Sequence, residues 1–432
     1  MRVQRMAAGV GMAVLLVGCT VRVSVDTNGG DPNSSSVGPS VSADGRFVAF
    51  ASLASDLVNG DSNGLHDVYR RDLKKNRTIR VSLDKTGGDP NFDSSDASIS
   101  SDGTKVAFLS NASDLVDGDT NGKDDIFVRN IRMGVTTRAS VDSGGGNTND
   151  HSTNPDISAD GRVVAFASLA SDLVQGDTNG FPDVFVRNLV AGTTTRVSVD
   201  TAGGDADNSS FDPSISADGR YVAFVSYASD LVAGDANGKA DIFVRDLVAG
   251  TTVRASVDTA GGDPNNFSDS PDISADGRRI AFASLASDLV AHDNNVCFSE
   301  QGPVSCVDVF VRDLVAGTTI RVSVDAGGGD ADKGGFDPSI SGDGGRVAFA
   351  SDSSDLVAND GNRTTDIFVR DLVGAATTRA SVDTAGGDPD SFSREPAITA
   401  DGRAVAFESF ATDLVEGDGN NTVDIFVTPL GQ

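Results

Sequence analysis

Repeated polar loops in this sequence carry oxygen-bearing side chains at a spacing that suits a bound cation. The pattern is Asp-x-Asn-Gly-x-x-Asp, as in Asp61, Asn63 and Asp67, where Gly64 permits the positive φ of a tight loop. Ca²⁺ takes six to eight oxygen ligands, and alternate side chains of such a loop can supply several of them. We therefore predict several weak calcium sites, with dissociation constants of roughly 10⁻⁴–10⁻³ M.

The candidate ligands recur in six loops along the chain. They are Asp61, Asn63, Asp67, Asp117, Asp119, Asn121, Asp125, Asp177, Asn179, Asp183, Asp235, Asn237, Asp241, Asp360, Asn362, Asp366, Asp418, Asn420 and Asp424. One further loop is interrupted between Asp293 and Asp308, and the last two loops lack the glycine. The Asp of each preceding Ser-Asp-Leu-Val segment, such as Asp56, is either an additional ligand or a turn cap. A network of Asx turns without metal is the alternative for the whole motif.

Composition limits the classes of function. The chain has 432 residues, with 63 acidic and 34 basic side chains and a formal charge of −29. A nucleic-acid binder needs clustered Lys and Arg for phosphate contacts, so this balance argues against one. Only three His are present, which excludes a His-rich metal centre. Asp outnumbers Glu by 59 to four, and 49 Gly accompany them, as is typical of an all-β protein with many tight turns.

The loops belong to a repeat of 58 residues. Its marker is the Asp-Gly turn, which recurs at Asp44, Asp102, Asp160, Asp218, Asp276, Asp343 and Asp401. One interval is 67 residues long because it contains a nine-residue insertion near 294–307. The chain therefore holds seven copies of every element, and repetition at this scale indicates a solenoid or a propeller.

Each repeat contains four short strands, here named a to d. In the fourth copy they are 213–216, 220–226, 241–247 and 251–258, separated by turn residues. Seven units of four antiparallel strands predict an all-β, seven-bladed β-propeller.

The two ends of the chain predict how the ring closes. The segment 20–26 is a spare d strand, and the last blade (396–430) lacks one, so pairing them removes two exposed edges. Strands b and c of every copy carry an aromatic residue at one repeated position, such as Phe224 and Phe243. We expect these side chains to pack between blades rather than to stack on a ligand.

The predicted topology separates two faces. The b–c and d–a loops lie on one face, here called the loop face, and the a–b and c–d turns lie on the other, the turn face. Two to three dozen carboxylates crowd the loop face, whereas the turn face is nearly neutral. A field of one sign repels itself unless counter-ions are present, which is a second argument for bound cations.

The repeat resembles a known family. The segment PSISADGRYVAFVS (213–226) is similar to the WD40-like repeat of the periplasmic Tol-system propeller, and the resemblance covers residues 20–430. The b–c loops resemble integrin-type calcium loops. The Tol protein has six blades and an additional α/β domain, and its repeat has Pro where Ala217 stands here. The resemblance therefore implies the fold, and a Tol-like role only weakly.

The N-terminus has the pattern of an export signal. Arg2 and Arg5 precede an apolar run over 6–17, which is too short for a bilayer-spanning helix of about 20 residues. The run ends in Leu-Val-Gly-Cys, which resembles the lipobox of bacterial lipoproteins and implies cleavage after residue 18 and lipid attachment at Cys19. We predict a signal peptide over 1–18 and a propeller over 19–432; an ordinary signal peptide is the alternative.

The other two cysteines, Cys297 and Cys306, lie in the insertion. An exported chain meets an oxidising compartment, so we predict a disulfide that restrains this loop, with two free thiols as the alternative.

Enzymatic chemistry finds little support. The residues most suited to it are His66, His151 and His292 in loops, Tyr69, Tyr221 and Tyr227 in strands, and the blade-specific pair Arg394 and Glu395. We predict a non-catalytic, monomeric, calcium-binding scaffold, exported and lipid-anchored at the cell envelope, which binds a protein or a glycan on its acidic face. A polysaccharide-acting hydrolase or lyase is the alternative.

Overall fold

The computed structural model describes residues 19–299 and 302–431, and the side chains at 298–299 and 302–304 are left aside. The predicted signal peptide (1–18) lies outside the described residues. Within these ranges every regular element is a β-strand. No helix there is long and apolar enough to cross a bilayer.

The strands form seven four-stranded antiparallel sheets, as predicted. Blades 1 to 3 consist of β2 (Ser36–Val41), β3 (Phe47–Ser52), β4 (Asp67–Asp72), β5 (Arg77–Arg80); β6 (Ser94–Ile99), β7 (Lys105–Ser110), β8 (Asp125–Asn130), β9 (Val135–Arg138); and β10 (Ser152–Ile157), β11 (Val163–Ser168), β12 (Asp183–Asn188), β13 (Thr193–Arg196). Blades 4 and 5 consist of β14 (Ser210–Ile215), β15 (Tyr221–Ser226), β16 (Asp241–Asp246), β17 (Thr251–Arg254); and β18 (Ser268–Ile273), β19 (Arg279–Ser284), β22 (Asp308–Asp313), β23 (Thr318–Arg321). Blades 6 and 7 consist of β24 (Phe336–Ile340), β25 (Arg346–Ser351), β26 (Asp366–Asp371), β27 (Ala376–Arg379); and β28 (Ser393–Ile398), β29 (Ala404–Ser409), β30 (Asp424–Pro429), β1 (Val21–Arg22).

Closure follows the predicted route. β1 pairs with β30, with Val21 opposite Val427 and Arg22 opposite Phe426. The contact continues beyond the two-residue strand, because the amide of Val23 donates to the carbonyl of Ile425 at 2.7 Å. The N-terminal segment thus completes blade 7, which confirms the seven-bladed ring.

Two strand boundaries differ from the sequence expectation. Strand a begins about three residues earlier, at Ser210 in blade 4, because a bulge between Phe211 and Ser214 interrupts the alternation that defines a strand. Strand d ends at Arg254, because the chain then leaves the regular ladder. Beyond this point the hydroxyl of Ser256 accepts the amide of Ile242 in strand c at 2.9 Å.

The core lies between blades. Strand b is buried on both faces, which explains its nearly continuous apolar sequence. The rings of Phe224 and Phe243 lie 6.0 Å apart, and the cluster that contains them joins Val184 and Val197 of blade 3 to blade 4. Seven such clusters ring the molecule. The prediction of inter-blade aromatic packing is confirmed.

The Asp-Gly turn has a structural role. In blade 4 the hydroxyl of Ser216 donates to Asp218 at 2.8 Å and accepts from the amide of Tyr221 at 2.9 Å. Gly219 has a φ of +72°, and a Cβ there would lie 3.0 Å from Val163 of the preceding blade. The amide of Leu247 donates to the carbonyl of Arg220, so a–b and c–d turns share one face.

The insertion in blade 5 forms its own hairpin of β20 (Val296–Ser299) and β21 (Gly302–Ser305). Cys297 and Cys306 are joined by a disulfide in this hairpin. The strands on either side, β19 and β22, pair as in the other blades, so the insertion leaves the propeller unchanged.

Candidate binding face

The predicted calcium loops surround an arginine in every blade. This arginine ends strand d and is buried, with its side chain 6–8% exposed. The seven residues are Arg22, Arg80, Arg138, Arg196, Arg254, Arg321 and Arg379. Each guanidinium contacts the first and last Asp of the b–c loop, and in six blades an Asp of the d–a loop; blade 2 has Asn147 there instead.

Blade 4 shows the geometry of this arginine cluster. Arg254 Nη1 lies 3.3 Å from Asp235, 3.7 Å from Asp241 and 2.6 Å from Asp263. The amide nitrogen of Asn237 donates to Asp241 at 2.8 Å. The Asn237 oxygen accepts from the backbone of Lys239, so it faces the turn rather than the cluster. One guanidinium is thus shared by three carboxylates, in a setting where burial favours paired charges.

In six blades the last Asp of the b–c loop is held where ionisation is costly. Burial raises the pKa of Asp241 to about 6, although the hydroxyl of Ser256 and Arg254 oppose this shift. Burial has the same effect on Asp67, Asp183, Asp308, Asp366 and Asp424, each with a pKa of about 6. Burial opposes the charge of Arg80, but Asp67, Asp89 and Asp61 raise the pKa of this arginine overall.

As arranged, these side chains do not form a calcium shell. The arginine guanidinium, itself a cation, already lies among the carboxylate oxygens. The Asn side chain directs its amide nitrogen, and not its oxygen, at them. Within residues 19–299 and 302–431, no group of three or more His, Cys, Asp or Glu is placed to hold a metal. Calcium binding in the loops stays a prediction, and it requires that the arginine be displaced.

Other predicted ligands have structural partners. Asp117 does not join its cluster, since it is exposed and pairs with Lys85 at 2.6 Å. Asp230 of blade 4 accepts the amide of Asp207 in the d–a loop at 3.2 Å, so it joins two loops instead of capping its own turn. Asp200, a d–a loop residue that was not among the predicted ligands, accepts the amides of Ala202 and Gly204 within its own turn at 2.7 Å. Many loop-face carboxylates therefore hold the two sets of loops together.

A second group of acidic side chains surrounds the axis at the loop face. A cavity of about 330 Å³ is lined by the inner strands of six blades, and we call it the channel mouth. One position of strand a has positive φ in every blade, and its residue lines the cavity in every blade but blade 6. It precedes a proline in all blades except blade 2, where Ala97 follows. The residues are Gly38, Asp96, Asn154, Asp212, Ser270, Asp337 and Glu395. Backbone in this region is costly for residues other than Gly, and such positions are often functional.

The channel mouth is strongly acidic. Burial raises the pKa of Asp96, Asp212, Asp337 and Glu395, and neighbouring carboxylates add to the shift in three of these. Burial raises the pKa of Asp269 to about 6, helped by Asp212 and Asp337. Glu408 is 8% exposed, and burial together with Glu395 raises its pKa to about 7. Arg394 opposes these shifts at Asp337, Glu395 and Glu408.

Deeper in the channel, polar side chains link neighbouring blades. Asp156 accepts from the hydroxyl of Ser98 at 2.8 Å and from the amide of Ile215 at 2.7 Å. Asp272 accepts from the amide of Ile340 in the same way. Burial raises the pKa of Asp156 to about 6. Both carboxyl groups thus form hydrogen bonds between neighbouring blades in the wall of the channel.

The sequence signal for the channel mouth was the residue before the repeated proline. The residue type varies between blades, whereas the proline that follows recurs in every blade but blade 2, which has Ala97. The sequence analysis singled out Glu395 and Arg394 but missed Asp96, Asp212 and Asp337. Asp is an ordinary turn residue, and in two of these three cases it precedes a proline, which is ordinary turn chemistry as well.

The residues considered for catalysis are dispersed. His151 contacts Asp124 at 2.9 Å in exposed loops. Tyr69 is fully buried, and its hydroxyl donates to Asp61 of its own arginine cluster. Arg394 stacks on Phe392, with its guanidinium carbon 4.9 Å from the ring centre. Of the blade-specific residues, Glu395 and Glu408 meet at the channel mouth.

Comparisons with known proteins bear on the fold. No family model and no curated protein matches this sequence. An oligogalacturonate lyase solved with manganese matches at a TM-score of 0.53 and 11% identity, over 96% of this chain and 98% of the other. The β-propeller domain of the Trilobed protease from Pyrococcus furiosus matches at 0.53 and 11%, over 91% and 93%. These likenesses show a shared propeller fold. TolB from Acinetobacter baumannii matches at 0.39 and 13%, over 85% and 77%.

We expect stability to fall as pH rises from about 5 to 8. The folded-state pKa of Glu408 lies above the unfolded value of about 4.3, so its stabilising protonated form is lost as pH rises towards 7. Glu408→Gln should therefore raise the free energy of unfolding by about 1–3 kcal/mol at pH 8, and by less at pH 5. Urea unfolding at both pH values measures this. Glu416→Gln, at an exposed loop position, is the control; equal effects would contradict the prediction.

Proposed function

We propose that this protein is a non-catalytic interaction scaffold of the cell envelope, anchored by a lipid on Cys19. Its loop face binds a partner, and the channel mouth is the centre of recognition. The observation that carries the proposal is the set of six acidic groups at the mouth, opposed there by Arg394. Buried like charges destabilise the free protein, so their retention favours a role in binding.

The charge of this site favours a cationic partner. The sequence analysis predicted a protein or a glycan as the partner. A protein segment rich in Lys or Arg would relieve the repulsion among the carboxylates, whereas an acidic glycan would add to it. We therefore favour a basic protein segment that enters the channel mouth.

A lyase or hydrolase is the second candidate, and one observation favours it. Glu408 has a pKa of about 7 and accepts the amide of Gly38, which lines the channel mouth, at 3.3 Å; a carboxyl group with this pKa suits a general acid. The structural similarity to oligogalacturonate lyase is at 11% identity, so it supports the propeller fold and not a lyase reaction. A uronate polymer is itself anionic and would meet the repulsion described above.

Binding is tested with two probes of opposite charge. We expect oligolysine to bind the chain that begins at Cys19, with an affinity that falls steeply as salt rises, and oligogalacturonate to remain unbound. The combined variant Asp96→Asn, Asp212→Asn and Asp337→Asn should lose most of the oligolysine affinity. The matched control, Asp44→Asn, Asp160→Asn and Asp276→Asn on the turn face, should keep it. Release of unsaturated or shortened oligogalacturonate would favour the second candidate.

The anchor is tested in cells. Replacement of Cys19 by serine should move the protein from the membrane fraction and abolish its labelling by a fatty-acid analogue. Retention of the wild-type distribution by Cys19→Ser would refute lipid attachment at this residue.

Calcium remains a separate part of the proposal. If Ca²⁺ occupies the b–c loops, it would rigidify the loop face against which the partner docks. The arginine clusters give these loops an internal cation instead, so the scaffold as proposed does not depend on added metal.

A further inference from the structure

Exposed apolar side chains recur on the turn face. The second residue of the c–d turn is a valine in four consecutive blades, and it is 73–89% exposed. The four are Val190, Val248, Val315 and Val373. Equivalent positions of radially repeated blades lie at one height around the ring. A flat surface brought against this face therefore touches all four valines together.

Cys19 leaves the propeller at the same end. Because β1 runs antiparallel to β30, Cys19 lies where the c–d turn meets strand d in the other blades. It is exposed and lines a cavity with Leu430 and with Thr378 of blade 6. A lipid on Cys19 would therefore emerge at the turn-face end of strand d of blade 7, on the side of blade 6.

The turn face lacks the excess of acidic charge that marks the loop face. On the turn face most Asp residues have a basic partner, as in Arg46–Asp72 at 2.8 Å and Arg220–Asp246 at 2.6 Å. The c–d turns of blades 1 and 2 add exposed basic side chains for which no salt bridge is found among the described residues. They are Lys74, Lys75, Arg77 and Arg132. This basic cluster borders blade 7, which carries Cys19, whereas the loop face is acidic.

We propose that the turn face rests on the bilayer that holds the lipid. The valines enter the interfacial region and the basic cluster meets anionic headgroups, while the acidic loop face points away from the membrane. This inference rests on the proposed anchor at Cys19. It deepens the proposed function, since it orients the channel mouth outward towards a partner.

The natural absence of Trp makes the orientation measurable. The chain that begins at Cys19 is coupled through its free thiol to maleimide-bearing lipid in vesicles of phosphatidylcholine and phosphatidylglycerol; the other two cysteines are joined to each other. Val248→Trp reports on the turn face, and Phe181→Trp, at a 40% exposed position of a b–c loop, reports on the loop face.

On coupling, the emission of Val248→Trp should shift to the blue and be quenched by brominated acyl chains, and that of Phe181→Trp should stay unchanged. Charge reversal by Lys74→Glu, Arg77→Glu and Arg132→Glu should reduce the quenching in anionic vesicles. Quenching of Phe181→Trp, or no quenching of Val248→Trp after complete coupling, would overturn the proposed orientation. Chemical coupling bypasses cellular processing, so this result is separate from the Cys19→Ser test of the anchor itself.

Discussion

Replacement of Arg254 by alanine is expected to lower the free energy of unfolding by about 3–5 kcal/mol, the usual cost of removing one partner from a buried ion pair. The variant leaves Asp235, Asp241 and Asp263 facing one another without a counter-charge. The side chains of Asp235 and Asp241 are 4% and 0% exposed, so water screens their charges little. Urea unfolding at pH 7.5 measures the loss.

The effect of Arg254→Ala should diminish towards pH 5. Asp241 already has a pKa of about 6 with the arginine present, and the loss of a positive neighbour moves this pKa further up. At pH 5 the carboxyl group is therefore protonated, and part of the repulsion disappears. Arg245→Ala is the matched control: Arg245 is half-buried on the same blade, but its side chain donates to the Thr252 hydroxyl at 3.0 Å and forms no salt bridge among residues 19–299 and 302–431. Equal losses in the two variants would show that packing, not the shared charge, stabilises the cluster.

The same variant decides the role of calcium. If the guanidinium takes the place of a metal, the wild-type melting temperature should respond equally to Ca²⁺ and Mg²⁺, whereas Arg254→Ala should gain a Ca²⁺-selective rise. At about 100 times its dissociation constant, a ligand adds about 2.7 kcal/mol per site. A large Ca²⁺-selective rise in the wild type would instead support the loops as calcium sites and refute the arginine as their resident cation.

The loops show what spacing can and cannot predict. Asp235, Asn237 and Asp241 lie close together in sequence, and their convergence was predictable from a tight Gly-containing turn. That Arg254 would be their counter-ion was not predictable. Arg254 follows 13 residues after Asp241, and an arginine at this place is equally typical of an ordinary strand end. Oxygen-rich loops suit a metal and a guanidinium alike, and only the three-dimensional register of strands c and d distinguishes these.

The channel mouth was harder to predict for a different reason. Asp96, Asp212 and Glu395 come from blades that are far apart in sequence, and they meet only because the ring closes. The repeat predicted the closure, so the positions were predictable as a ring. The direction of these side chains was not predictable. It depends on the positive φ at the bulge of strand a, which turns one side chain per blade.

A chain that lacks residues 19–26 is expected to have no stable monomeric fold. The deletion removes Val23, which is fully buried against Phe50 and Tyr69 of blade 1, and Arg22, which contacts Asp31 at 2.6 Å and Asp418 at 3.1 Å. Loss of the apolar burial costs roughly 1.5–3 kcal/mol per side chain and loss of the ion pair about 3–5 kcal/mol, which together approach the whole stability of a typical domain. Sedimentation and urea unfolding measure the outcome.

The deletion also exposes the edge of β30, which then offers unpaired amides to another chain. A circular permutant separates this edge effect from simple truncation. In blade 4 four residues, Leu247 to Gly250, join strands c and d, and the C-terminal residues 430–432 supply three of the corresponding four. One added glycine after residue 432, followed by residues 19–26, would therefore rebuild blade 7 as a continuous chain.

The permutant should be monomeric with nearly wild-type stability, because every contact of β1 is restored. A stable monomer from the simple deletion would show that six complete blades and three strands suffice, and that the terminal strand serves mainly to place Cys19.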